Sequence, residues 1–198
     1  MIDSPWSNYY KNTLHKEPNK TAIIARKQFV ITKDKIVLDI GSGTGCDSFY
    51  FLENGFTVFA LDQEINALNI LKDKVQGKTD IHIKYILSQI QEYDIVDNSF
   101  DLINASYSLP FMPKNQLMDV WQNIYNGIMV NGILSCQLFG IHDDWANNAE
   151  MTFLSNTEVK EMCKKYRVIH FEELDEDGLI ADKSAKHWHL FDLVLSKK

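Results

Sequence analysis

The stretch VLDIGSGTGCDSF, residues 37–49, joins two different structural patterns through three glycines at every second position. The β-branched run at 35–40 predicts a short buried strand, and the segment 47–54 predicts a helix that ends before Gly55. A glycine-rich loop between a strand and a helix lets a ligand approach the backbone, and the helix N-terminus offers free N–H groups. The stretch therefore predicts a ligand-binding loop.

Strand and helix patterns alternate on both sides of this loop. Predicted strands cover 35–40, 56–62, 81–87, 100–107 and 132–140, and helical patterns cover 47–54, 64–77 and 115–128. Alternation of this kind is typical of βαβ units with right-handed crossovers. We therefore expect an α/β fold with a doubly wound, mostly parallel, seven-stranded Rossmann-like sheet.

The last third of the chain departs from that alternation. A helix is predicted over 156–166 with Asn156 as its N-cap, and strands at 167–174 and 187–196 follow with no helical pattern between them. Two consecutive strands without a crossover predict an antiparallel hairpin at the C-terminal edge of the sheet. The acidic segment FEELDEDGLIAD, residues 171–182, is expected to be largely a solvated hairpin loop.

Length and composition limit the function classes. A chain of 198 residues predicts one domain over 1–198, with an N-terminal helical lid segment at 1–30 and an α/β core at 35–198. A net charge of −7 argues against nucleic acid or an anionic membrane as the main partner. With no signal-peptide pattern, no long apolar run and three scattered cysteines, we expect a cytoplasmic protein with reduced thiols and leave its oligomeric state open.

The spacing of the glycine loop separates the candidate ligands. A phosphate-binding P-loop requires a lysine that this stretch lacks, and the dinucleotide pattern GxGxxG would need a third glycine where Cys46 stands. Asp39, two residues before the first glycine, suits an amine-bearing ligand better than a phosphate. Asp62 ends the next strand, where a carboxylate can accept both hydroxyls of a ribose. A ligand with a ribose, a cationic end and no phosphate is S-adenosylmethionine.

With these features the chain resembles the class I S-adenosylmethionine-dependent methyltransferases over about residues 30–198. VLDIGSGTG resembles the first motif of that family, and ALD at 60–62 resembles the second. The short length, the aromatic N-terminal segment and KHWHLFDLVLSKK at 186–198 resemble small-molecule members of the family, such as the tellurite-resistance and thiopurine-type methyltransferases. The resemblance implies S-adenosyl-L-methionine as cofactor, with a set of cofactor-binding residues: Asp39, Gly41, Gly43, Gly45, Asp62, Gln89, Ile90 and Tyr107.

The acceptor side is predicted less directly. Candidate substrate contacts are polar and aromatic residues near the binding edge of the sheet or in the N-terminal segment, namely Trp6, Tyr10, His142, Trp145 and His187. No metal site is predicted, because His142 and Asp144 lack an evident third ligand. The same side chains also suit an ordinary loop, a packed helix or a polar strand face.

The sequence therefore predicts a methyltransferase that acts on a small molecule, with no catalytic residue identified. A soft sulfur, selenium or tellurium nucleophile is favoured, because an oxygen or nitrogen acceptor often needs a base such as His142, His187 or His189. Two alternatives remain open, a nicotinamide-dependent oxidoreductase and a non-catalytic S-adenosylmethionine-binding module.

Overall fold

A computed structural model describes residues 6–198 and contains one central sheet. Its strands are β1 (Ile36–Ile40), β2 (Thr57–Asp62), β3 (His82–Leu87), β4 (Phe100–Ala105), β5 (Ile128–Gly140), β6 (Phe153–Leu154), β7 (Tyr166–Leu179) and β8 (Ala185–Lys197). The strand order is β3-β2-β1-β4-β5-β8-β7, with β6 beside β5. The order reverses between β1 and β4, which places a crevice beyond their carboxyl ends.

The predicted fold class is confirmed. β1 to β5 pair in parallel, whereas β8 pairs antiparallel with β5 and with β7. Seven strands form the continuous path, and the two-residue β6 is an eighth strand that the sequence pattern did not predict. Such a short strand has too few residues to display a periodicity.

Helices cover both faces of the sheet. They are α1 (Ser7–Thr13), α2 (Lys20–Arg26), α3 (Cys46–Glu53), α4 (Ile65–Val75), α5 (Lys114–Gly127) and α6 (Asn156–Met162). One buried core packs residues of α5 and α6 against the sheet, and a second packs residues of α2, α3 and α4 against it. This two-sided burial explains why the central strands are almost continuously apolar.

Two local predictions were wrong. Ser155, not Asn156, caps α6, because its side chain accepts from the Glu158 N–H while the Glu158 carboxylate accepts from the Ser155 N–H. The acidic segment 171–182 is mostly strand, since β7 continues to Leu179 and the connection to β8 is only five residues long, 180–184. Pairing with β8 supplies the order that the charged composition did not suggest.

The N-terminal segment contains helices, as predicted. Its residues 1–5 lie outside the described residues. α1 and α2 are both short, with seven residues each. The longest helix of the described chain is α5 with 14 residues, and none between residues 6 and 198 combines the length and apolarity needed to cross a bilayer.

Candidate functional site

The glycine loop connects β1 to α3 in a backbone conformation that requires glycine. Gly41, Gly43 and Gly45 have φ values of +66°, +52° and +75°. A Cβ atom at Gly41 would lie 2.6 Å from the Ser108 Cβ, and one at Gly45 would lie 2.3 Å from the Leu71 Cδ1. The loop is therefore held close to two neighbouring segments, and substitution at either position would displace it.

Asp39 lies at the end of β1 with only 2% of its surface exposed. Its carboxylate accepts from Ser48 Oγ at 2.5 Å and from Asn104 Nδ2 at 2.8 Å. Burial, with the nearby charge of Asp47 as a second cause, raises the pKa of Asp39 to about 7. A cation placed beside it would restore the charged form, as expected for an amine-bearing ligand.

Asp62 lies at the end of β2 and holds the loop from the other side. Its two carboxylate oxygens accept from the backbone N–H groups of Gly43, at 2.8 Å, and Glu64, at 2.9 Å. Burial raises the pKa of Asp62. Asp62 thus shapes the loop and the entry into α4, and its oxygens retain lone pairs for further donors.

These residues surround a cavity of about 150 Å³, here called the loop cavity. Among the predicted cofactor residues, Gly45 is not part of its wall, and the other seven are: Asp39, Gly41, Gly43, Asp62, Gln89, Ile90 and Tyr107. Trp6 and Tyr10, predicted to contact substrate, line the same cavity. The structure thus brings together residues from five separate segments of the sequence.

The N-terminal segment is fastened to the glycine loop by residues that the sequence interpretation missed. The Asn19 backbone N–H and Nδ2 donate to the two Asp47 oxygens at 2.8 and 2.9 Å. Thr44 Oγ1 donates to the Thr13 carbonyl at 3.2 Å. The only sequence signal for these contacts was the acidic residue Asp47 in the first turn of α3. Its partner Asn19 is too distant in the sequence for a local pattern to reveal the contact.

Tyr107 lies where β4 meets the binding edge, in a left-handed conformation with φ of +51°. Its N–H donates to Gln137 Oε1 at 3.2 Å, and Gln137 Nε2 donates to Thr21 and Asp192 at 2.8 and 3.0 Å. A non-glycine residue in this region is strained, and such strain persists where the surroundings fix it. The buried Gln137 provides that constraint at the cavity wall.

A second cavity of about 740 Å³ adjoins the first, and we call it the aromatic cavity. The two cavities share six wall residues: Trp6, Tyr9, Thr13, Lys16, Tyr107 and Phe111. The rest of the aromatic cavity includes the rings of Phe139, Trp145 and Trp188, with Glu176 and Asp182 as its acidic wall residues. Its size suits a small organic molecule.

A buried ion pair contacts two of the rings that line the aromatic cavity, those of Trp145 and Trp188. Lys186 bonds to Asp143, and both side chains are at most 2% exposed. The Lys186 ammonium lies 3.8 Å from the Trp188 ring centroid and 4.3 Å from that of Trp145. The Asp143 carboxylate also accepts from the backbone N–H of Trp145 at 3.0 Å. This arrangement fixes both indole rings through charge and cation–π attraction.

The predicted acceptor residues are divided between different places. Trp145 lines the aromatic cavity, but His142 and His187 line neither described cavity. Their rings instead bond to Asp175, at 2.8 and 2.7 Å, on the outer part of the C-terminal hairpin. Alternation along β8 explains the position of His187, because Trp188 faces the cavity and its neighbours His187 and His189 face away. His142 lies in the loop after β5, where its ring reaches Asp175.

Comparison with known proteins agrees with this architecture. Residues 37–132 match the family described as methyltransferase domain. This segment, slightly less than half of the chain, is similar to methyltransferase domains. The match covers the glycine loop and both carboxylates, Asp39 and Asp62, and it confirms the resemblance inferred from the sequence.

Solved structures extend the fold comparison to nearly the whole length of the chain. TehB from Haemophilus influenzae superposes with a TM-score of 0.79 at 17% identity, over 96% of this chain and 66% of that one. The 1,6-didemethyltoxoflavin-N1-methyltransferase of Burkholderia thailandensis gives 0.69 at 18% identity, over 97% and 81%. At these identities the likeness is one of fold.

Among curated proteins, the chain is similar to the carboxy-S-adenosyl-L-methionine synthase of Campylobacter concisus (strain 13826). The two are 28% identical over 106 residues, which is 52% of this chain and 44% of that protein. The chain thus spans less than half of this relative's length in the matched region.

Proposed function

We propose that the protein is an S-adenosyl-L-methionine-dependent methyltransferase that acts on a small molecule. The observation that carries this proposal is the common wall of the two cavities. The wall of the loop cavity contains carboxylates and glycine backbone, and the aromatic cavity is large enough for an organic molecule. Tyr107 and Phe111 belong to the walls of both cavities. Methyl transfer requires two ligands whose reacting atoms meet in line, and adjoining cavities provide that geometry.

The residues of the loop cavity divide among the parts of the cofactor. Asp39 would orient the amine, Asp62 would accept from the ribose hydroxyls, and Gln89 with Ile90 would hold the adenine. Gly41 and Gly43 let the ligand approach the backbone. The cofactor supplies an already activated methyl group, so the protein contributes alignment and exclusion of water.

A soft acceptor, with sulfur, selenium or tellurium as the nucleophile, fits the surroundings of the shared wall. Among the described residues, the shared wall contains no histidine, and burial raises the pKa of Tyr9 to about 12 and that of Tyr107 well above its usual value. Tyrosines that stay protonated near neutral pH do not act as bases. A thiol or its heavier analogues ionise without help, so they need only alignment and a dry site.

The named relatives support the cofactor part of this proposal. The Campylobacter enzyme is named for a derivative of S-adenosyl-L-methionine, and the Burkholderia structure is described with bound S-adenosylhomocysteine and an organic acceptor.

Calorimetry tests the proposed cofactor, and a product assay tests the proposed acceptor. We expect S-adenosylhomocysteine to bind with 1:1 stoichiometry and NAD or NADP to show no comparable binding. We then expect S-adenosylhomocysteine to form from S-adenosyl-L-methionine with thiophenol, and more slowly with phenol. Met118→Ala, at an exposed position on α5, serves as the control. Binding of NAD alone would refute the proposal, and faster turnover of phenol would overturn the soft acceptor.

A further inference from the structure

The face of the C-terminal hairpin that points away from the aromatic cavity carries a cluster of histidines and carboxylates. We propose that His142, Asp175 and His189 form a binding site for a divalent transition metal of the zinc type. This site lies outside both described cavities, and it does not depend on the proposed methyl transfer.

The three side chains already converge. One potential ligand atom from each lies within 4.8 Å of the other two. His142 Nδ1 and Asp175 Oδ2 are 2.8 Å apart, and the His142 and His189 rings stack with centroids 4.7 Å apart. Ligands of a tetrahedral metal lie about 3–3.5 Å from one another, given metal–ligand bonds of about 2.0–2.2 Å, so the exposed His142 ring would turn out of its stack with His189 to point its lone pair at the same ion.

Each ligand also has an outer partner of the kind that metal sites use. His189 Nε2 lies 3.0 Å from Glu173 Oε1, and its Nδ1 accepts from the His142 N–H at 3.1 Å. This tautomer carries its proton toward Glu173, and a metal at Nδ1 would take over the lone pair that now accepts from the His142 N–H, which is exposed enough to bond to water instead. The other oxygen of Asp175 lies 2.7 Å from His187 Nε2. Carboxylate–histidine pairs of this type orient ligands and raise their basicity.

The framework around the cluster is rigid on one side and open on the other. Asp175 and His189 are directly opposite each other in the β7–β8 register. The His189 ring packs on Gly140, where an added Cβ would come within 2.3 Å of it, and its side chain is 2% exposed. The His142 side chain is 59% exposed, so an ion has access from solvent. A metal would replace the proton shared by His142 and Asp175.

The donor types select the class of metal. Two imidazole nitrogens and one carboxylate suit Zn²⁺, Co²⁺ or Ni²⁺, whereas Mg²⁺ and Ca²⁺ prefer oxygen ligands. A second group, His170, Glu172 and Asp192, has only one histidine. Lys20 already pairs with Glu172, and Gln137 donates to Asp192, so that group is occupied by its own partners.

Binding at this site would join the loop 141–152 to the hairpin. The same loop carries Trp145, which lines the aromatic cavity on the opposite side of the sheet. The metal would thus hold one wall of that cavity in place.

Calorimetry on the full chain with ZnCl₂ tests the site, with MgCl₂ as the comparison ion. We expect one equivalent of Zn²⁺ to bind with a dissociation constant on the order of 1 µM, and no comparable Mg²⁺ binding. His142→Gln and His189→Gln should each weaken Zn²⁺ binding by at least tenfold. His82→Gln, at an exposed position on β3, and His170→Gln, in the second group, should leave it unchanged.

Two further measurements keep the result interpretable. Thermal unfolding of each variant without metal shows whether it is folded, and the absorption spectrum of the Co²⁺ complex shows whether a thiolate from Cys46, Cys136 or Cys163 is a ligand. Absence of stoichiometric Zn²⁺ binding, a thiolate charge-transfer band, or equal affinity in folded His189→Gln would each overturn the proposal.

Discussion

The two cavities that meet at Tyr107 differ in the chemical groups that form their walls. The loop cavity, of about 150 Å³, is formed by a tight backbone turn and two buried carboxylates at the ends of neighbouring strands. The aromatic cavity, of about 740 Å³, is formed mainly by rings from the N-terminal segment, the loop after β5 and the hairpin. The first is shaped by backbone hydrogen bonds and the second by side-chain packing.

This difference determines whether a substitution changes stability and ligand affinity together or separately. In the loop cavity the groups that would bind a ligand also hold the fold, because Asp62 fastens the glycine loop and Asp39 lies within a buried polar network. In the aromatic cavity the rings rest on the Lys186–Asp143 pair, so an individual ring can change while the fold remains. Stability and ligand affinity should therefore change together at the first cavity and separately at the second.

Gly45→Ala should have the largest effect. Its Cβ would come within 2.3 Å of Leu71 Cδ1 and 2.9 Å of Leu71 Cγ, at a φ of +75°. Crowding and strain together predict a loss of about 2–4 kcal/mol in the free energy of unfolding. Urea denaturation measures this loss, and calorimetry with S-adenosylhomocysteine should show weaker binding even in the folded fraction.

Gly77→Ala provides the matched control for that experiment. Gly77 has a similar φ of +77°, but an added Cβ there meets no atom within 4 Å. The left-handed conformation alone costs about 1–2 kcal/mol, and cofactor affinity should be unchanged. Equal destabilisation by the two substitutions would show that Leu71 yields easily and that the loop is less constrained than its geometry indicates.

Asp62→Ala should have the next largest effect on the loop cavity. Charge-assisted hydrogen bonds contribute about 1.5–3 kcal/mol, so affinity for S-adenosylhomocysteine should fall about tenfold or more. Because the Gly43 and Glu64 N–H groups also lose their acceptor, the free energy of unfolding should fall by about 1–2 kcal/mol without ligand. Lost stability with unchanged affinity would make Asp62 a structural residue only.

The contrast between the cavities also explains what the sequence could predict. The strand, glycine loop and helix at 36–53 are consecutive, so their residue types and spacing predicted Asp39, Gly41 and Gly43 at one cavity. The aromatic wall joins Trp145 to Trp188 through the pairing of β5 with β8, which no local pattern specifies. His187 alternates with Trp188 along β8 and therefore lies on the other face, where His142, from the loop after β5, also bonds to Asp175.

Trp145→Ala should sharpen the comparison from the acceptor side. Removing a ring that lines the aromatic cavity should raise the KM for an aromatic thiol about tenfold, equivalent to about 1.4 kcal/mol. The affinity for S-adenosylhomocysteine should stay within twofold, and Trp145→Phe should recover most of the KM. A parallel loss of cofactor affinity would show that the two cavities are coupled through their common wall.

The last expected effect is the pH dependence at Asp39, which changes no side chain. Burial and the Asp47 charge raise the pKa of Asp39 to about 7, above its ordinary value of 3.8. The protonated carboxyl therefore stabilises the ligand-free fold, and this contribution is fully present below about pH 3.8 and is lost as pH rises from there to about 7. A bound ammonium favours the carboxylate, so cofactor binding below pH 7 must release a proton. Affinity should rise by at most about tenfold per pH unit up to pH 7 and then level off.

Calorimetry at pH 6.5 in two buffers of different ionisation enthalpy measures that proton release directly. The Asp39→Asn variant cannot release the proton, so its affinity should be weaker and nearly independent of pH between 6 and 8. In the variant the new amide oxygen can accept from Asn104, while the Ser48 hydroxyl must accept from the new amide group instead of donating, so thermal unfolding is measured alongside as a check on the fold. A pH slope that persists in Asp39→Asn would show that the proton is released by a group other than Asp39.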